Sequence, residues 1–447
     1  MSESSSSSSS TLQETLLRLS NSITSSLAAT SYTPPKTATI SVKAFLEPLL
    51  TPTNSIKDFA LACALLSSST LINSELLSWI PNHLSSLASA SFFELSQIYL
   101  TVFNNRNTEK VAELGLDCDL VPPEKRLLIE LFPELVPILK ERIKESSFDK
   151  SDEFDEFSAA SARVPVGFAI LAAYQFRWFV TQVDYPHLGK LCGWVIPCAL
   201  TAVDHWSPEV KGQGMVSFAH LGKNVDAAEL GGFEDVILDA CCQNIAADDE
   251  VWDCVVEASI TLMSLTQKSN PRSPWFEKML NEMLSHLERQ PRNKERRIAW
   301  LKSVDSLLNG VGLVLLAHFR RIFPLFFQWM HADDDDTIIL VLKCTYVVLR
   351  LTWIRNSPYV ARLVDKLALV YKEAALRKAR EEIRANITQI LVLLQESKGQ
   401  HFNLAWDKHQ TDPDLTNLNL SLSGNYKCNL DSLPSENSTQ SSGIVQT

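Results

Sequence analysis

The chain has 447 residues, of which 45% are hydrophobic and 21% charged. This is more apolar material than one compact core usually holds, so two domains or one extended array are expected. A formal net charge of −11 repels phosphate backbones and anionic membranes, which disfavours nucleic acid and lipid as main ligands.

The chain begins with a serine tract that is typical neither of a secretory signal nor of a lipid anchor. Apolar residues three and four positions apart then predict helices over residues 55–66, 71–80, 92–103 and 124–144, which we interpret as degenerate repeats. No run approaches the ~20 uninterrupted apolar residues of a membrane crossing. Nine cysteines without a CxxC pair favour a reducing compartment, so we expect a cytoplasmic protein, with or without a nuclear pool.

Past an acidic stretch at residues 145–158, five segments begin alike and are 41, 47, 40 and 45 residues apart. They start at Glu209-Val210, Glu250-Val251, Arg297-Ile298, Thr337-Ile338 and Glu382-Ile383. Such a period is that of HEAT or armadillo units, each a pair of antiparallel helices. An apolar residue followed by a proline occurs at Pro197 and again at Pro324, and the interval between the two prolines equals three such units. The sequence therefore predicts an all-α solenoid of HEAT/armadillo-like helical repeats, with a generic helical bundle as the alternative.

Beyond Thr411 the chain is rich in Asn, Ser, Asp and Thr, which is typical of a disordered tail. Within it, residues 418–422 form an LxLxL pattern that resembles a short repressor-recruiting motif of plant regulators, although a chance match explains it better. The predicted organisation is a disordered serine-rich N-terminus (1–10), an N-terminal helical region (11–144), an acidic linker (145–160), a repeat domain (161–408) and a disordered tail (409–447).

The common catalytic motifs are missing: the sequence has no GxxxxGK[ST], GxGxxG, GxSxG or HExxH pattern. The segment from Lys211 to Gly214 resembles a phosphate loop but has no strand before it, and close helix packing at Gly214 explains it better. The acidic run from Asp333 to Asp336 lacks the alternate spacing and the glycine of a calcium loop, so we interpret it as helix capping. We therefore predict no catalytic residue, no metal site, no cofactor and no small-molecule substrate.

Candidate contacts with a protein partner come from two features. The segment from Arg289 to Arg297 is the densest basic patch of an acidic chain, so it predicts either a solvated turn or a docking point for an acidic partner segment. Two of the ten tryptophans lie at a turn or after the last repeat helix, where aromatic side chains often anchor interfaces. The candidate partner-binding residues are Trp206, Lys211, Arg292, Arg296, Arg297 and Trp406.

The order of several short segments resembles one known family. Residues 195–200, 204–214, 224–225, 228–230 and 236–240 together look like the central repeat of the Tti-two family, and the similarity extends over about residues 184–406. The resemblance implies a non-catalytic subunit of the Triple T co-chaperone complex, bound to Tel-two-like and Tti-one-like helical-repeat proteins. It further implies association with the ninety-kilodalton heat-shock chaperone and support of phosphatidylinositol-3-kinase-related kinases.

Two other functions remain open at this point. A general HEAT-repeat scaffold or transport receptor would have the same periodicity. An enzyme whose active site lies in the less regular N-terminal half is the third hypothesis.

Overall fold

The computed structural model describes residues 3–34, 39–51, 55–68, 75–103, 115–116, 121–146, 164–246, 249–268, 270, 272–352 and 357–430. All regular secondary structure in these ranges is helical, and none of these residues lies in a strand. The predicted all-α fold with repeated helical hairpins is confirmed. The chain forms two compact units, Met1–His286 and Leu287–Thr447.

The first unit contains a long amphipathic helix followed by paired helices. Their bounds are α1 Glu3–Ala29, α2 Val42–Leu49, α3 Ile56–Ser68, α4 Asn82–Phe103, α5 Pro123–Glu145, α6 Val166–Thr181, α7 Cys192–Val203, α8 Pro208–Asn224, α9 Ala227–Leu230, α10 Glu234–Asn244, α11 Trp252–Thr266 and α12 Pro274–Arg289, the last ending just beyond the unit.

These helices form two rows. Helices α3, α6, α8 and α11 pack side by side in row A, and α1, α4, α5, α7 and α10 pack side by side in row B. Each pair α3/α4, α5/α6, α7/α8 and α10/α11 bridges the rows. The apolar faces of a single pair cannot both be buried within the pair, so neighbouring pairs supply the core. The N-terminal helices therefore continue the stacking, but the step from α4 to α5 stays within row B.

The second unit repeats the arrangement. Its helices are α13 Lys294–Val311, α14 Phe319–Trp329, α15 Asp335–Thr352, α16 Val360–Glu373, α17 Arg380–Lys398, α18 Gln400–Trp406 and α19 Thr416–Leu430. Helices α13, α15 and α17 stack in order, while α14 packs on α15, and α16 packs on both α17 and α18. Helix α19 packs on α17.

The five predicted repeat starts fall at the beginnings of α8, α11, α13, α15 and α17. Each of these helices lies in row A or in the corresponding stack of the second unit. Pro197 and Pro324 both lie inside the preceding helix, α7 and α14, as the second periodic marker predicted. The side chains that share the predicted faces, such as Val255 and Leu262 of α11, are fully buried.

Gly214 explains how closely α8 approaches α7. A Cβ atom at this position would lie 2.8 Å from Cγ1 of Val203 and 3.0 Å from its backbone nitrogen. Because only a glycine leaves this space, the interpretation of Gly214 as a packing residue agrees with the geometry.

One stretch, Lys294–Trp329, is long and apolar enough to cross a membrane by length and composition, and half of its most apolar window is buried in the fold. It is not one continuous α-helix: α13 ends at Val311, Gly312 has a positive φ of 54°, and a 3₁₀ turn follows before α14. Core helices of helical-repeat proteins pass the same compositional test.

The structure differs from the predicted domain organisation at three places. Helix α1 begins at Glu3, within the expected disordered N-terminus. Residues 147–160 of the predicted linker lie outside the described residues, and the flanking helices α5 and α6 pack together within one unit. Helix α19 lies where a disordered tail was expected, because Leu415, Leu418 and Leu422, spaced three and four residues apart, are buried against the unit.

Candidate protein-interaction surface

Arg297, a candidate docking residue, is buried in the second unit. Its guanidinium donates three hydrogen bonds: from Nε to Oγ1 of Thr337 at 3.0 Å, from NH2 to Oδ2 of Asp334 at 2.5 Å, and from NH1 to the backbone oxygen of Arg292 at 3.2 Å. Arg292 lies in the turn that precedes α13, Asp334 lies in the turn that precedes α15, and Thr337 lies in the first turn of α15. Arg297 therefore joins two successive repeats, and the expectation that it contacts a partner needs correction.

Asp334, the acceptor in this junction, also caps the helix of the second repeat. Its Oδ1 accepts a hydrogen bond from the backbone nitrogen of Thr337 at 2.9 Å and so caps α15. Burial raises the pKa of the Asp334 carboxyl, but hydrogen bonds from Thr337 and Arg297 outweigh it and hold the pKa below its ordinary value. The acidic run thus caps a helix, as interpreted from the sequence.

An equivalent junction connects the next repeat. Asp335 accepts hydrogen bonds from the backbone nitrogen of Ala379 at 2.9 Å and from NH1 of Arg377 at 3.2 Å. Arg377 also donates to the backbone oxygens of Ala332 and Asp333. The turns of the second unit are therefore linked by two arginine–aspartate contacts, which we call the turn ladder (Arg297–Asp334 and Arg377–Asp335).

The outer side of the turn ladder is the exposed surface. Leu376 is 97% exposed, and Arg292 and Lys378 are exposed beside the ladder. A shallow cavity of about 680 Å³ is lined by Asp333, Asp335, Asp336, Glu373, Leu376, Arg377 and Lys378. A second, of about 480 Å³, shares Asp333 with it and includes Arg292. This edge combines an exposed apolar side chain with charges of both signs, a composition suited to protein contacts.

Two further candidate residues of this unit are buried. Arg296 is 5% exposed, and its backbone nitrogen donates to the capping Oδ1 of Asn293. Trp406 is 5% exposed, stacks on Phe402 with 6.0 Å between ring centroids, and donates from Nε1 to Asn419 of α19 at 2.9 Å. Trp406 is thus a core residue under α19, and its predicted anchoring role is corrected by this packing.

In the first unit, Trp206 keeps an exposed face. Its side chain is 48% exposed at the turn between α7 and α8, stacks on His205, and donates from Nε1 to the backbone oxygen of Ser146 at 3.1 Å. The ring is therefore held in one orientation while half of it faces solvent, as an interface anchor requires. Lys211, in the first turn of α8, is half-buried.

His205 beneath this tryptophan is buried as a neutral imidazole. Its Nδ1 accepts a hydrogen bond from the backbone nitrogen of Ser207 at 3.0 Å, and its Nε2 lies 3.2 Å from Oγ of Ser146. Burial, with a smaller effect from Lys211, lowers the pKa of His205 to about 4. The imidazole therefore braces the turn that presents Trp206.

The described residues contain no group of three or more His, Cys, Asp or Glu side chains arranged for a metal ion. Burial raises the pKa of the thiols of Cys192 and Cys254 to about 12, so neither is a thiolate near neutral pH. Sequence reasoning missed Leu376 and Arg377; the available signal was an isolated leucine followed by two basic residues in a turn between two periodic helices.

No family model matches the sequence. The chain is 54% identical over 421 residues to Uncharacterized protein At2g39910 of Arabidopsis thaliana, which covers 92% of this chain and 95% of that protein. It is 23% identical over 210 residues to TELO2-interacting protein 2 of Homo sapiens and 21% identical over 245 residues to that of Rattus norvegicus. These two matches cover 44% and 50% of this chain, and 41% and 48% of those proteins.

Among solved structures, an engineered protein aligns with a TM-score of 0.41 and 10% identity, over 92% of this chain and 99% of that one.

Proposed function

Because this chain belongs to the same family as the Arabidopsis thaliana protein At2g39910, with which it shares nearly its whole length, we propose that both work as non-catalytic adaptors, and that this one is a subunit of a Triple T-like co-chaperone complex. The observation that carries the proposal is the similarity to TELO2-interacting protein 2, whose name records an interaction with TELO2. The similarity spans less than half of those proteins, so their partners come to this chain only as part of the proposal.

The architecture supports a binding mechanism. Within each unit, stacked helical pairs form an edge of turns, and each turn can contact a different part of an extended partner. The proposed partners are Tel-two-like and Tti-one-like subunits and the ninety-kilodalton heat-shock chaperone. The phosphatidylinositol-3-kinase-related kinases are the proposed clients of the assembly. We place this activity in the cytoplasm, with or without a nuclear pool.

The proposed contact residues lie at the turns. In the second unit they are Arg292, Leu376 and Lys378, which are exposed beside the turn ladder, and in the first unit Trp206. An apolar anchor next to basic side chains suits a partner surface that is apolar at its centre and acidic at its rim.

Affinity isolation of the tagged full-length chain from its native cells tests the partners. We expect Tel-two-like and Tti-one-like proteins to be recovered together with it. Recovery of a nuclear-transport GTPase with cargo, in place of these proteins, would support the transport-receptor alternative and refute the proposal.

Charge reversal at the turns then tests the contact surface. We expect the double variant Arg292→Glu with Lys378→Glu to recover the partners several-fold less efficiently, because exposed charges set encounter and orientation. The matched control is Lys302→Glu with Arg320→Glu, which reverses two exposed basic side chains of α13 and α14 outside the turn ladder. Equal recovery by all variants would place the contact elsewhere in the chain.

A further inference from the structure

A cavity of about 630 Å³ in the first unit lies outside the surfaces considered so far. It opens between the N-terminal ends of α6, α8 and α11, all in row A. Three glutamates line it: Glu75 and Glu250 are exposed, and Glu209 is half-buried. Burial raises the pKa of the Glu209 carboxyl, and the negative charges of Glu75 and Glu250 raise it further. The three carboxylates therefore act on one another across one opening.

A buried amide is the second, independent feature of the cavity. Gln213 lines the cavity, is 3% exposed, and its Oε1 has no hydrogen-bond partner among the described residues. Its Nε2 donates to the backbone oxygen of Glu209 at 3.4 Å. A buried acceptor without a donor costs free energy, so a ligand that brings an N–H group into the cavity would relieve that cost.

The remaining walls are apolar. Leu76, Ile170 and Val251 also line the cavity, and all three are buried. A side chain that fits must therefore have an aliphatic stem, a positive charge and several N–H donors. Arginine has all three properties, and its guanidinium carries five donors and no acceptor.

We propose that this cavity, which we call the acidic cavity (Glu75, Glu209, Gln213 and Glu250), binds an arginine side chain of a partner polypeptide. The carboxylates of Glu209 and Glu250 pair with the guanidinium in charge-assisted hydrogen bonds, and Oε1 of Gln213 accepts one of its N–H groups. The inference is independent of which complex contains the chain, since it predicts only the chemistry of the segment that is bound.

The test uses the full-length chain and a fluorescein-labelled decapeptide that contains three arginines, measured by fluorescence polarisation. The comparison peptide carries citrulline at the same positions, which keeps the shape and removes the charge. We expect the arginine peptide to bind at least about tenfold more tightly than the citrulline peptide, with an affinity that falls as salt is added. Equal binding of the two peptides would overturn the proposal.

Variants locate the binding. Glu209→Gln with Glu250→Gln is expected to weaken binding of the arginine peptide by about tenfold or more, since each lost charge-assisted hydrogen bond contributes strongly. The matched control, Glu234→Gln with Glu277→Gln, removes the same charge from the first turns of α10 and α12, outside the cavity. An equal loss in the control would show that only the net charge attracts the peptide and would refute the site.

Gln213→Met separates binding from folding. The substitution removes the unpaired acceptor and keeps the length of the side chain, so we expect weaker peptide binding together with an unchanged or higher thermal unfolding midpoint. If the variant bound the peptide as tightly as the native chain, Gln213 would have no part in binding. The acidic cluster alone would not define an arginine site, so this result would refute the proposal.

Discussion

Replacing Arg297 by methionine should destabilise the second unit, although the sequence places this arginine in an apparent docking patch. Methionine keeps much of the aliphatic stem but removes three donated hydrogen bonds and the guanidinium beside Asp334, which leaves Nζ of Lys294 at 3.9 Å from Oδ1 of that carboxylate. Breaking a buried ion pair typically costs about 3–5 kcal/mol. The side chains of Arg297 and Asp334 are 11% and 15% exposed, and Asp334 keeps its bond to Thr337, so we expect about 2–3 kcal/mol.

Hydrogen exchange of the full-length chain, followed by mass spectrometry, measures this effect where it occurs. In peptides from α13 and the start of α15, a loss of about 2–3 kcal/mol should speed exchange by about thirty- to a hundredfold, since about 1.4 kcal/mol is a factor of ten. Urea unfolding of the same variant supplies the global value.

The matched control is Arg292→Met, which removes an exposed arginine from the same turn. We expect its free energy of unfolding to stay within about 0.5 kcal/mol of the native value. If Arg297→Met cost less than about 1 kcal/mol, or no more than Arg292→Met, the turn ladder would not hold the repeats together and the reasoning would fail.

Three further substitutions test other parts of the fold. His205→Asn keeps a hydrogen-bond acceptor for the turn but has no ring that can be protonated. The pKa of His205 is about 4 in the folded chain and about 6.5 in the unfolded chain, so the native protein should lose up to about 3 kcal/mol of stability as the pH falls from 6.5 to 4. Urea unfolding at each pH should show that the variant lacks this loss. Leu418→Ala in α19 should cost about 2–4 kcal/mol in the same assay, whereas Leu420→Ala, at a position 67% exposed, should cost less than about 0.5 kcal/mol. Gly214→Ala should lower the thermal midpoint, because the added Cβ atom would collide with α7. Gly193→Ala has open space around the added Cβ atom, so it should leave the thermal midpoint unchanged or raise it, with a gain of about 0.4–1 kcal/mol in the free energy of unfolding.

The repeat starts and the two in-helix prolines could be read from the sequence because both are local signals. Apolar spacing identifies the buried face of each helix, and a recurring interval identifies the pairs. The cap at Asp334 was also predictable, since acidic residues before a helix favour its first turn. None of these inferences depends on which helices are neighbours in the folded structure.

The roles of Arg297 and Trp406 could not be read in this way, because each depends on a residue far along the chain. Arg297 is buried because Asp334 and Thr337 lie opposite it in the next repeat. Trp406 is buried because α19 folds back, and the polar composition after residue 411 concealed the helical spacing of Leu415, Leu418 and Leu422. The spacing of these leucines indicated a helix, but the prediction of a disordered tail relied on the polar composition instead.

The return of α19 determines where this protein can be shortened. A chain that stops after Trp406 would lack the helix that packs on α17 and would leave the indole nitrogen of Trp406 without Asn419. Its open apolar end would resemble an array without a terminal repeat, the state in which such proteins aggregate or pair with further copies of themselves. Recombinant fragments used for binding studies should therefore extend past Leu422, so that self-association is not mistaken for partner recognition.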